Sequence, residues 1–275
     1  MTSTALDTPR IEGHAPPAGA DAGGRIDRAT KLFRFETSAT HPPFGSPFVQ
    51  EVWRTRSEPA EAFISVAVSR WEMVVTRQRG EASLTVRGPE TRASAAPIPV
   101  DAEFFGVQFR LGTYMPCLPL LRLVDGALTL PQARAGSFWL HGSTWELPSF
   151  ENAEVFLRRL VREGLLIRDP VVEEALEGHI PDRSERAVQR RVVRATGLTQ
   201  STIRQIQRAQ TATQLLDRGL PIGDTVALAG YADQAHLTRS LRRFSGQTPG
   251  QIVRAQAPGQ VSLPFKTTAD GAGYR

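Results

Sequence analysis

Gln234, Thr238, Arg239, Arg242 and Arg243 stand close together near the C-terminal end of the chain. Their side chains have the chemistry needed to read nucleic acid. A guanidinium donates two parallel hydrogen bonds to guanine O6 and N7, a Gln amide pairs in the same way with adenine, and a hydroxyl serves either base. Arg186, Gln189, Arg190, Arg191 and Arg194 repeat that composition upstream. No constellation for catalysis competes with them. The five histidines, His14, His41, His141, His179 and His236, stand singly, and a metal-dependent β barrel would need His-x-His with a carboxylate nearby. Cys-x-x-Cys, His-Glu-x-x-His, Gly-x-Ser-x-Gly and phosphate-binding glycine loops are all missing. No enzymatic activity, metal or cofactor is therefore expected.

Both sets of polar residues need helices to aim them. In the downstream set, Leu237, Leu241 and Phe244 recur at helical spacing and turn inward, which leaves the Gln, Thr and Arg side chains outward. Asp233 is placed to cap a helix over 234–244 by accepting from its free amides. Before it, a short apolar helix over 223–229 stops at Gly230, because glycine tolerates the left-handed conformation of a tight turn through Tyr231 and Ala232. Upstream, a short helix over 170–176 ends at Glu177-Gly178, and Ile180-Pro181-Asp182 forms the turn. Ser184 then caps a helix to about Ala195, with Val188 and Val192 as its inner stripe and Gly197 as its stop. Thr199 caps a connecting helix to Asp217 whose apolar repeat is Ile203, Ile206, Ala209, Ala212 and Leu216. At ~1.5 Å per residue this helix is roughly 28 Å long. Adjacent major-groove segments on one face of DNA lie ~34 Å apart, so a rod of this length suits two reading helices on neighbouring segments.

Charge is segregated accordingly. Between Arg183 and Arg254 there are 12 arginines against four acidic residues (Glu185, Asp217, Asp224 and Asp233), a net of +8 in a chain whose total is +5, so the rest carries −3. A positive field confined to the helical region favours a polyanion through counterion release. Every basic residue except Lys31 and Lys266 is arginine, in both halves, so the segregation of net charge carries more weight than residue type.

At these residues the chain resembles the AraC/XylS family of bacterial transcription regulators. The run from Gly230 to Arg239, with Arg242-Arg243-Phe244, looks like the family's second recognition helix. Gly246-Gln247-Thr248-Pro249-Gly250 is similar to its closing element, in which Thr248 caps and Pro249 starts a last short helix. Arg208, Ala212, Leu215 and Leu216 resemble the linker-helix pattern, and 184–197 the first recognition helix. The resemblance spans residues from about 150 to 255 and implies base contacts at Arg186, Gln189 and Arg190 in the first helix and at Gln234, Ala235, Thr238 and Arg239 in the second. Ala235 departs from the polar residues often found there and could make only an apolar contact, such as with a thymine methyl. Val192 replaces a usual aromatic. Arg191, Arg194, Arg242 and Arg243 are candidates for phosphate contact. Any single outward arginine is more often a phosphate contact or solvated surface than a base reader. Arg190 and Arg239 are set apart by their positional match.

Residues 1–28, rich in Ala, Gly, Pro and Asp, read as a disordered leader, and 258–275 as a flexible tail. Neither holds the apolar run of a signal peptide, and no stretch reaches membrane-spanning length. One cysteine, Cys117, reads as a buried inert thiol and fits a reducing cytoplasm. Residues 29–148 read as β: runs at 51–55, 63–68, 71–77, 82–87 and 104–109 are rich in β-branched and aromatic residues, and Val124-Asp125-Gly126-Ala127 carries a hairpin signal. Many short strands imply a barrel or a sandwich. The family resemblance implies a cupin-like β barrel that senses an effector or dimerises. Trp53, Trp71, Trp139 and Trp145 are candidates for core or for an apolar pocket, and Arg110 for an ion pair. The expected fold class is α+β: this barrel, a helix over 152–162, then an all-α domain over 149–257 with two helix-turn-helix units. Its expected partners are double-stranded DNA, an organic small-molecule effector, RNA polymerase and a second copy of the chain. A β domain that only dimerises, with an architectural role on DNA, is the alternative, and behind it an enzyme in the β domain whose catalytic groups follow none of these motifs.

Overall fold

Alternating apolar and polar residues fold the first half into antiparallel strands, and helical periodicity takes over in the second. The computed structural model describes residues 36–37, 46–57, 63–96, 99–178 and 184–255. The expected leader and tail, the turn at 180–182, and His14, His41 and His179 lie outside the described residues.

The strands are β1 (Glu36–Thr37), β2 (Val49–Arg56), β3 (Phe63–Ser65), β4 (Glu72–Gln78), β5 (Glu81–Arg87), β6 (Ser94–Ala96), β7 (Glu103–Phe109), β8 (Thr113–Tyr114), β9 (Ala127–Thr129), β10 (Gln132–Arg134), β11 (Ser137–Leu140) and β12 (Ser143–Glu146). Six of them form one antiparallel sheet in the order β1-β2-β7-β4-β5-β9. Its inner side is apolar: Val52, Met73, Val75, Leu84, Val86, Val107 and Phe109 are buried. Trp71 stacks on Phe109 with ring centroids 4.0 Å apart, and its indole N–H donates to the Thr113 carbonyl at 2.7 Å. On β7, Gly106 makes room for Trp53, since a Cβ there would lie 2.1 Å from the indole. Trp53, Trp71 and Trp145 are buried, and Trp139 is 47% exposed.

Two expectations about this half need correction. The strands do not close into a barrel. Among the described residues the large sheet ends on β1 and β9, and β10-β11-β12 forms a separate three-stranded sheet. Closure requires the last strand to return to the first, and β9 is only three residues long with every residue exposed. Nor does Asp125-Gly126 make a hairpin. Residues Leu120–Leu123 form a 3-10 turn, Asp125 takes a positive φ of 56°, and β9 pairs back onto β5. Arg110 Nε donates to the Val49 carbonyl at 3.1 Å.

The helices follow. α1 (Ala153–Arg162) buries Phe156 edge-on against Phe138 and Trp145, and Arg159 lies 4.0 Å over the Trp145 ring. A short strand, β13 (Ile167–Arg168), then pairs with β8 and ties the chain back to the β half. α2 (Pro170–Leu176), α3 (Glu185–Thr196), α4 (Gln200–Asp217), α5 (Ile222–Leu228), α6 (Gln234–Phe244) and α7 (Pro249–Ala255) complete the fold. One buried apolar cluster runs through both halves, from Val49 to Ile252.

Candidate nucleic-acid interface

Each helix that could meet DNA starts and stops where its residues dictate. The Ser184 hydroxyl accepts from the Ala187 amide at 3.4 Å, Thr199 from Thr202 at 3.2 Å, and Asp233 from His236 at 2.6 Å. These bonds satisfy amides that the first helical turn leaves without partners. α3 ends on Gly197, which adopts φ 74°. At α7, Thr248 and Gln251 close a reciprocal box: the Thr248 amide donates to Gln251 Oε1 at 2.8 Å, and the Gln251 amide donates to Thr248 Oγ1 at 3.2 Å.

α4 is the shared support. Ile203, Ile206, Ala209, Ala212 and Leu216 are buried along it. Near its start, Gln200 Nε2 donates to the last-turn carbonyl of Ala175 in α2 at 3.1 Å. Half-way along, Arg208 donates to the Gly230 carbonyl at 3.3 Å and lies 4.7 Å over the Tyr231 ring. One helix therefore grips the first helix of one unit and the turn of the other. Tyr231 is braced further by Ser240, whose hydroxyl is 2.8 Å from the phenol oxygen.

The residues expected to touch bases fall on two surfaces. On α3, Arg186, Gln189 and Arg190 are exposed while Val188 and Val192 are buried. On α6, Gln234, Ala235 and Arg239 are exposed, Thr238 is half-buried, and Leu237, Leu241 and Phe244 face inward. Two polar groups already have partners on their own helices. Gln189 Nε2 donates to Glu185 at 3.1 Å, and the Thr238 hydroxyl donates to the Gln234 carbonyl at 2.8 Å. Both bonds are exposed, so exchange for a base edge leaves no buried group unpaired.

The phosphate-contact candidates divide. Arg194, Arg242 and Arg243 are exposed, with Arg194 5.5 Å over the Tyr114 ring and Arg243 4.9 Å over Phe244. Arg191 is turned away from them. Its Nε and Nη2 donate to the two carboxylate oxygens of Asp169 at 2.8 and 2.7 Å, and these hydrogen bonds raise its pKa above the ordinary guanidinium value. Asp169 also caps α2, accepting from the Val171 amide at 3.1 Å. Arg191 thus secures the helix pair, a role invisible in sequence because its partner lies 22 residues away.

Sequence reasoning also passed over the far wall and floor of the α3 surface. A cleft of about 1310 Å³ lies between α3, the first half of α4 and residues 114–121 of the β half. Arg186, Arg190, Arg194, Arg204 and Arg208 line it, and among the described residues no carboxylate does. Arg204 and Arg208, four residues apart on the outward side of α4, were the available signal. Cys117 lies beside this wall, and burial pushes its thiol above the usual value. Among the described residues no group of histidine, cysteine and carboxylate side chains could hold a metal, and no helix is long and apolar enough to cross a membrane.

Residues 182–255 match the family described as a helix-turn-helix domain. Among curated proteins, the chain is 33% identical over 111 residues to the HTH-type transcriptional regulator RipA of Corynebacterium glutamicum, covering 38% of this chain and 34% of RipA. It is 35% identical over 95 residues to the HTH-type transcriptional regulator VirS of Mycobacterium tuberculosis, covering 34% of this chain and 26% of VirS. The RipA of Corynebacterium diphtheriae matches at 36% over 70 residues, 26% of this chain and 21% of that protein. The chain thus spans about a third or less of the length of these relatives. No solved structure matches it.

Proposed function

We propose that this chain, whose helix-turn-helix region belongs to the AraC family, is a cytoplasmic transcriptional regulator that reads two adjacent major-groove segments of double-stranded DNA. The observation that carries this reading is the pair of capped recognition helices, α3 and α6, joined by one helix and each presenting Gln and Arg to solvent. In this reading Arg190 and Arg239 donate bidentate bonds to guanine, and Gln189 and Gln234 pair with adenine. Ala235 packs on a thymine methyl and Thr238 exchanges its internal bond for a base acceptor. Arg186 adds a base contact beside them. Arg194, Arg242 and Arg243 hold the phosphates that set the register.

Residues 149–257 serve as the DNA-binding domain, and 29–148 as a β domain that responds to an organic effector or joins two copies of the chain. RNA polymerase is the further partner a regulator of this kind would engage. The reading assigns no catalytic step, in keeping with relatives named as regulators.

Footprinting of the intact chain on its selected target tests the proposal. Arg190→Ala and Arg239→Ala should each weaken binding by ~1–3 kcal/mol and at different patches about one helical turn apart. Loss at the same patch in both would reject the two-segment reading. DNA binding itself is tested by a salt series. With three phosphate arginines and a slope of about −0.9 per contact, affinity should fall at least roughly fortyfold between about 50 and about 200 mM salt, and a flat response would reject a phosphate-dominated interface.

A further inference from the structure

The two recognition helices end alike. α3 stops on Gly197 with φ 74°, and α6 runs through Ser245 into Gly246 with φ 73°. Both glycines are places where the β half comes close. A Cβ on Gly197 would lie 2.9 Å from the Leu120 carbonyl oxygen, and one on Gly246 would lie 3.2 Å from Ala93 and Ile64. At α6 the contact includes backbone hydrogen bonds. The Ala93 amide donates to the Arg243 carbonyl and the Ala67 amide to the Phe244 carbonyl, both at 2.8 Å. These carbonyls belong to the last turn of a helix, where no intrahelical amide remains to pair with them.

The two contact patches are also strapped to each other. The Asp125 carboxylate accepts from the Thr91 amide at 2.6 Å and from its hydroxyl at 2.7 Å. The Asp125 amide donates to the Pro89 carbonyl at 2.9 Å, and the Gly88 amide to Gly126 at 3.0 Å. Two residues on from Thr91 is Ala93, under α6. Just before Asp125 lies the Leu120–Leu123 turn under α3. Through Asp125 a short path therefore runs from the end of one recognition helix to the end of the other without passing through α4.

We propose that this path is a bracket, with Asp125 its positioning residue, and that the bracket decides which base-pair spacing between two DNA segments the chain accepts. α3 is joined to α4 through the turn at Gly197, and α6 through α5 and the turn at Gly230, so packing on α4 secures one side of each recognition helix and leaves the end of α6 to be held by other parts of the chain. Holding the Gly197 turn against Leu120 and the end of α6 against Ala93 fixes the two helices relative to each other. One added base pair between the segments moves the second by ~3.4 Å and turns it by about 35°, which a bracketed pair cannot follow. The proposal rests on the two-segment reading above.

The test uses the intact chain on a selected duplex and on the same duplex with one base pair inserted between the protected segments. The wild-type chain should lose about tenfold or more on insertion, the scale of a lost bidentate base contact. Asp125→Gly keeps the positive φ and removes the carboxylate, while the uncharged Ala93→Leu crowds the patch under α6. Both leave every DNA-facing residue in place. In each, the insertion penalty should shrink to about threefold or less while affinity for random duplex stays unchanged. An undiminished penalty in both variants, with two protected patches, overturns the bracket and leaves the two-segment reading standing. A single protected patch in the wild-type chain overturns both.

Discussion

The two helix-turn-helix units share a plan, yet α3 leans on distant residues through side chains, while α6 is braced by its own turn at its start and takes backbone hydrogen bonds from the β half at its end. α3 is held to α2 by Arg191 on Asp169, and its surroundings include β13 paired to β8 and Arg194 over Tyr114. α6 follows Tyr231, which bonds to Ser240 and lies edge-on to His236 with centroids 5.1 Å apart. Its inner residues Leu237 and Leu241 are fully buried against α4 and its neighbours. The contrast teaches that one motif can be anchored in two ways, by side-chain contacts at α3 and by backbone hydrogen bonds at α6, and that both couple it to the rest of the chain.

The largest effect that separates the units should come from the core of the second. Leu241→Ala should cost ~2–5 kcal/mol, as burying a Leu and then truncating it does elsewhere. In footprints, the α6 patch should fade before the α3 patch. Simultaneous loss of both patches would mean that the units fold as one, and the contrast would break.

Helix caps sharpen the comparison on a smaller scale. Asp233→Ala removes a cap alone and should cost ~0.5–2 kcal/mol in denaturant unfolding. Asp169→Ala removes a cap and the partner of Arg191 together, so its cost should exceed that of Asp233→Ala. Equal costs would show that the ion pair contributes little to holding α3. The smallest effect concerns Cys117, beside the wall that faces α3. Because burial raises its thiol pKa, the thiolate fraction at neutral pH is lower than in a free cysteine, and alkylation should be slow. Asp169→Ala should speed that labelling more than Asp233→Ala does, if the α3 side loosens first.

What was legible in the sequence was local. Ser184, Thr199 and Asp233 announce the starts of α3, α4 and α6 because a cap acts on an amide two or three residues away. Gly197 and Gly230 mark the stops for the same reason, through backbone freedom at a single position. Strand positions were legible to within a few residues: the run expected at 82–87 is Glu81–Arg87, and that at 104–109 is Glu103–Phe109. Pairing was not legible. That β7 lies between β2 and β4 and that β9 returns to β5 are long-range outcomes which alternation cannot encode. Arg191 shows the same limit among charged residues. From its own helix it looks like a neighbour of Arg190, and only the three-dimensional path of Asp169 distinguishes them.

All four tryptophans, Trp53, Trp71, Trp139 and Trp145, precede α1. Three are buried, and one of them is pressed against the bare backbone of Gly106. Tryptophan emission, excited beyond tyrosine absorption, therefore reports the β half and its seam with α1, while the helices that follow dominate the far-ultraviolet dichroism. Melting followed by both optical signals at once separates the two halves without a label or a truncation. Where the curves part, the temperature gap measures how far one half can loosen while the other still stands.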